Sequence, residues 1–134
     1  MAVILIVLIA VRFFASSSPD VSSGDDSQRI AAIREIAEDS PSDAGETLAR
    51  AAVSDPSPRV RREALAGLSH FLKPEHREHV QKSTKDADAG VREIAVDTLG
   101  LYADKSATAD LTEIVKKEPE EKVRHAALRG LVRC

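Results

Sequence analysis

Val60–Leu68 reads VRREALAGL, and the phrase returns as VREIAVDTL at Val91–Leu99 and as VRHAALRGL at Val123–Leu131. The starts lie 31 and 32 residues apart. A further step of 32 back from Val60 lands on Gln28, where QRIAAIREI keeps Arg29, Ala32 and Ile36 in register. A fixed period of this length marks a stack of repeated supersecondary units. Inside the phrase the valine, the alanine four residues on and the leucine eight residues on fall on one stripe of an α-helix. The phrase is therefore a helix with one apolar face, and the other segments must supply what covers it.

An acid stands six residues before each arginine of the phrase: Asp55 before Arg61, Asp86 before Arg92, Glu118 before Arg124. Acid and base recurring in register predict a ladder of charge-assisted hydrogen bonds. Each acid reaches the arginine of its own unit or of a neighbour, and either arrangement fixes the corners. In the first copy Gln28 replaces the valine, and Asp25 and Asp26 lie nearer to Arg29 than six residues.

These residues resemble the short HEAT-type repeats also called PBS-lyase HEAT-like repeats. The resemblance rests on the D-x5-R spacing, the VR-x2-A-x3-L helix and the period near 32, and it covers roughly residues 27–134. It implies an all-α, right-handed solenoid of about three and a half helix pairs. It implies a binding scaffold more than any one chemistry.

Composition narrows the function classes. Lys plus Arg total 19 and Asp plus Glu 22, a net charge of −3, so no broad basic field awaits nucleic acid. Aromatics make up 3% with no Trp, which disfavours base stacking or a large aromatic cofactor pocket. Cys134 is the single cysteine, so neither an internal disulfide nor a cysteine metal set is possible.

Residues 1–15, MAVILIVLIAVRFFA, are apolar at fourteen of fifteen positions, Arg12 being the exception. As a helix they span about 22 Å, short of a hydrocarbon core of roughly 30 Å. Arg12 can snorkel to the headgroups at one end, so a single-pass N-terminal membrane anchor is the leading expectation. A cleaved signal leading to a secreted or periplasmic protein is the rival, although no Lys or Arg precedes the apolar run. The positive charge after that run leans toward a domain facing the cytoplasm. Residues 16–27, SSSPDVSSGDDS, read as a flexible linker. The repeat domain is expected over 28–134.

Within that domain, Ser40 is expected to N-cap a helix starting at Pro41 and running to about Ser54. Pro58 opens the first clear phrase helix, and Pro74 opens a helix reading PEHREHVQKSTK. Asp104–Ser106 is expected as a turn before a helix at Thr108–Lys117, and Pro119 as the start of the last helix.

His76 and His79, at i and i+3 beside Glu75 and Glu78, are weak metal candidates. The order is neither H-E-x-x-H nor H-x-x-E-H, it occurs in one unit only, and His79 aligns with Leu48 and Leu111 as a core-edge residue. No catalytic constellation and no cofactor site are expected. The candidate partner-binding face consists of exposed phrase-helix positions, Arg59, Arg62, Glu93, Asp97, Lys122, His125 and Arg129, with basic ends around an acidic middle. The resulting expectation is a membrane-tethered scaffold, monomeric apart from one protein partner, that binds no nucleic acid and performs no catalysis. The alternative is an accessory subunit or lyase-like enzyme acting on a cofactor- or chromophore-bearing protein.

Overall fold

A computed structural model describes residues 20–134. The apolar segment 1–15 lies outside the described residues. Seven α-helices are present among them: α1 (Asp26–Asp39), α2 (Ala44–Ser54), α3 (Pro58–Leu68), α4 (Arg77–Ser83), α5 (Ala89–Gly100), α6 (Lys105–Lys117) and α7 (Glu121–Arg133). A single 3-10 turn, Pro74–His76, leads into α4.

Local chemistry sets most of the boundaries. Asp25 and Gln28 form a capping box at α1: the Asp25 carboxylate accepts from Gln28 N at 2.9 Å, and Gln28 Oε1 accepts from Asp25 N at 2.9 Å. This is what the first copy gains by having Gln28 in place of the valine. It also starts α1 at Asp26, inside the stretch read as linker. Pro58 occupies the first turn of α3, where its missing N–H costs nothing. Asp88 caps α5 through Val91 N at 2.9 Å, and Asp104 caps α6 through Ala107 N at 2.8 Å.

Three boundaries differ from the sequence expectation. Ser40 closes α1 rather than opening α2: its φ is 49°, its N–H donates to Ile36 O, and α2 begins only at Ala44. Asp104–Ser106 is the start of α6 rather than a separate turn, because the Asp104 carboxylate captures the first N–H groups of that helix. The helix expected over residues 74–85 is shorter, since Pro74–His76 winds as a 3-10 turn and α4 ends at Ser83.

The phrase helices α1, α3, α5 and α7 lie side by side in one layer, each packed on the next. Helices α2, α4 and α6 form the second layer. Between them the phrase positions Val60, Ala64, Leu68, Val91, Ala95, Leu99 and Val123 are all 0% exposed, as are Leu48, Val80 and Leu111 from the second layer. Each such Leu or Val contributes roughly 1.5–3 kcal/mol through burial. No pair buries its apolar stripe alone, so the core exists only in the stack.

The layer is tightest where α5 crosses α7. A Cβ added at Gly100 would stand 2.7 Å from the Gly130 Cα, a contact with backbone that cannot swing away. Gly100→Ala is therefore expected to destabilise by up to about 2 kcal/mol. Overpacking costs about 1–3 kcal/mol, and a gain in helix propensity of about 1 kcal/mol offsets part of it. Urea unfolding of the two forms measures the difference.

Candidate partner-binding site

The arginine ladder is what holds the surface in register. Arg61 Nε and Nη2 donate to the two carboxylate oxygens of Asp86 at 2.8 and 2.9 Å, and Arg61 Nη1 donates back to Asp55 O at 2.8 Å. Arg92 repeats this one unit on, with Nε and Nη2 on Glu118 at 3.1 and 2.9 Å and Nη1 on Asp86 O at 2.8 Å. Arg29 does the same, reaching Asp55 at 2.8 and 3.1 Å and Gly24 O at 2.7 Å. Each arginine thus ties its own corner by a backbone carbonyl and the next corner by a carboxylate. Both arrangements left open by the sequence are used at once, and Arg29 joins as an additional rung. Each acid also accepts the N–H two residues on: Ser57 at 2.8 Å, Asp88 at 2.8 Å and Glu120 at 3.2 Å. Arg124 holds Glu118 O at 2.9 Å and Pro119 O at 2.6 Å, but meets no carboxylate among the described residues.

The ladder makes the fold acid-sensitive. At Asp86 and Glu118 burial works to raise the carboxyl pKa, but hydrogen bonds from Arg61 and Arg92 and nearby positive charge outweigh it, leaving both below their ordinary 3.8 and 4.5. Asp104 is held at about 2 by Arg77, which grips it at 2.6 and 3.0 Å while stacking on the Tyr102 ring at 4.9 Å. A carboxyl whose folded pKa is depressed stabilises above its unfolded pKa and loses that contribution as pH falls through its folded pKa. The thermal midpoint is expected to stay level from pH 7 to about 5 and to fall steadily from about 4.5 downward. Asp86→Asn should flatten that fall, and a midpoint indifferent to pH between 5 and 3 would contradict the ladder's role.

The candidate face read from the sequence is largely self-neutralised. Arg129 pairs with Asp97 at 2.8 Å and Lys122 with Glu93 at 3.7 Å, both across α5 and α7. His125 lies 3.7 Å from Glu121, and Arg62 Nε donates to Pro58 O at 3.3 Å. Arg59 is exposed.

His76 and His79 do not converge on a metal site, and no group of three His, Cys, Asp or Glu among the described residues could hold an ion. His76 is buried against Gly45, which leaves room for its ring: a Cβ there would meet Cε1 at 2.4 Å. Val80, not His79, takes the core position equivalent to Leu48 and Leu111. The unit spacing alternates between 31 and 32, so alignment alone left this position uncertain by one residue.

A cleft that the sequence does not disclose lies in the second layer. There α2 packs directly on α4, but α4 and α6 stand apart. The gap is a cleft of about 670 Å³ with Leu99 and Ile114 among its apolar lining and Glu78, Lys82, Lys85, Glu113 and Lys117 among its charged lining. Gln81 Nε2 donates to Asp110 Oδ2 at 2.7 Å across it. Here α4 has 7 residues and α6 has 13. Such a volume falls within the range of ligand clefts, roughly 300–1,000 Å³.

Two layers of antiparallel helices stacked at a period near 32 and stitched by a corner ladder define an α-solenoid. The chain belongs to the HEAT repeats family, whose model matches residues 51–132, more than half of its length. Among solved structures it is similar to the complex of CpcE and CpcF of phycocyanin lyase from Nostoc sp. PCC7120, with 23% identity, a TM-score of 0.71, and coverage of 83% of this chain and 75% of that one. At that identity the likeness is one of fold. No curated protein matches the chain.

Proposed function

We propose that this HEAT-repeat chain is a non-catalytic protein-binding subunit that takes a segment of a partner protein in the cleft between α4 and α6. The observation that supports this most is the cleft itself, an apolar floor at Leu99 and Ile114 between charged rims of both signs. Such a floor with flanking charges suits an amphipathic helix or extended segment. The similar solved structure is a complex of two chains of phycocyanin lyase. It favours an accessory subunit acting on a cofactor-bearing protein over a free-standing adaptor. Membrane attachment belongs to the same proposal and falls to residues 1–15, since no helix among the described residues is long and apolar enough to cross a membrane.

The test is a photo-crosslinking residue in place of Gln81, in the native host, with the same residue in place of exposed Arg59 as control. The expected result is one dominant protein adduct from position 81 and none from 59. A visible absorption band in the purified complex identifies a cofactor-bearing partner. Equal, diffuse labelling at both positions would refute binding in the cleft.

A further inference from the structure

The turns after successive phrase helices close against each other in two different ways. Between the turns after α3 and α5, Arg77 grips the Asp104 carboxylate at 2.6 and 3.0 Å, and the Tyr102 hydroxyl donates to Lys73 O at 3.0 Å. Counting back one unit replaces each side chain of that closure. Gly45 stands for Arg77 in the register that matches Leu48 with Val80, Lys73 stands for Asp104, and Phe71 stands for Tyr102. The gap between the turns after α1 and α3 is left as a cleft of about 420 Å³, with Pro41, Phe71 and Leu72 among its lining.

Hydrogen-bond donors without acceptors gather in this cleft. The N–H groups of Gly45 and Glu46, in the first turn of α2, meet no acceptor among the described residues, and the Asp43 side chain does not cap them. His76 lays its ring over Gly45, is 3% exposed, and keeps Nδ1 without a hydrogen-bond partner. Buried polar atoms are normally paired, so this one calls for an explanation. Exposed Lys73 lines the same cleft. Two acids line it as well: Glu46 is held along its own helix by Arg50 at 2.8 Å, and Glu75 is exposed. They oppose a dianion more than a monoanion, because Coulomb repulsion scales with the charge of the ligand.

We infer that this cleft binds the carboxylate of a ligand with a short apolar body. One carboxylate oxygen takes the first-turn N–H groups of α2, where the helix dipole favours negative charge. The other oxygen faces His76 and Lys73, and the apolar body lies against Phe71 and Leu72. The ligand carboxylate thus supplies the negative partner that Asp104 supplies one unit on. Two sources carry this chemistry, a free organic acid and the C-terminus of a peptide chain. The site is separate from the cleft between α4 and α6 and does not rest on the protein-binding reading.

The test is a titration of the isotope-labelled full chain followed by amide and imidazole NMR. The probes are 3-phenylpropionate, its neutral amide, inorganic phosphate, and acetyl-Gly-Phe with a free C-terminus. The expected result is a saturable shift of the Gly45 and Glu46 amides and of the His76 ring with 3-phenylpropionate. The neutral amide is expected to bind about tenfold or more weakly, as for loss of a charged hydrogen bond, and phosphate more weakly than the acid. The first amides of α7, a helix that also lacks a side-chain cap, are the control and are expected to stay in place. Lys73→Gln, at an exposed position, should weaken binding about twofold to fivefold, as for an exposed ion pair. Tighter binding of the peptide than of the free acid assigns the site to a chain terminus, and the reverse assigns it to an organic acid. Equal binding of amide and acid, tighter binding of phosphate, equal shifts at α7, or no saturable shift at Gly45 and Glu46 would each overturn the inference.

Discussion

Replacing Asp86 by alanine is expected to lower the unfolding midpoint by about 12 °C, taking roughly 4 °C per kcal/mol for a domain of this size. Asp86 is held from both sides, as Asp55 and Glu118 are. Its carboxylate receives both forks of Arg61 and the N–H of Asp88, and its carbonyl receives Arg92. The Arg61 and Asp86 side chains are 13% and 11% exposed. Breaking a buried pair costs about 3–5 kcal/mol because one charge stays buried without a partner, whereas an exposed pair is worth about 0–1 kcal/mol. This pair lies nearer the buried end, so about 3 kcal/mol is expected. Asp97→Ala removes the Arg129 pair, whose side chains are 36% and 50% exposed, and should cost about 0.5 kcal/mol. Thermal melts of both variants check the contrast. Similar small losses for the two would mean that the ladder acts as ordinary surface charge.

Leu65→Ala is the second large effect, expected at about 3 kcal/mol within the usual 2–5 kcal/mol for a buried leucine. Leu65 is fully buried in α3, a helix packed on α1, α2 and α5, and helices held on several sides cannot simply collapse into a void. Leu128 holds the same place in the phrase but is half exposed, and Leu128→Ala should change stability by less than about 1 kcal/mol. Denaturant titration of both checks whether burial, rather than the phrase position itself, carries the energy. A Leu128 variant as damaged as the Leu65 variant would mean that α7 is already covered.

The fold was legible because helix and repeat agree: Val60, Ala64 and Leu68 fall on one stripe, and the same stripe returns in register. The spacing of acid and arginine was legible three times over, but not its wiring, nor the rung at Arg29, which has no acid six residues before it. Nothing in the spacing of Asp55 and Arg61 says that Arg61 turns forward to Asp86, because that depends on how closely units stack. His79 was placed one residue off the core, because the 3-10 turn at Pro74–His76 and the alternating unit length move the second-layer register. The charged face read from Asp97, Lys122 and Arg129 pairs with itself once α5 and α7 lie side by side. The cleft between α4 and α6 has no signal in one sequence, since it is a distance between helices; the nearest hint is the proline at position 74, which shortens the helix that follows.

One device runs through the molecule: each phrase helix receives the next unit by an apolar stripe and an arginine that spans two corners. A double-mutant cycle on Arg61 and Asp86 measures it most directly, with Arg61→Ala, Asp86→Ala and the double variant unfolded in urea. A coupling of about 2 kcal/mol or more is expected, as for partners in one hydrogen-bonded network. A coupling below about 0.5 kcal/mol, the scatter of independent sites, would contradict it and leave the stacking to apolar burial alone.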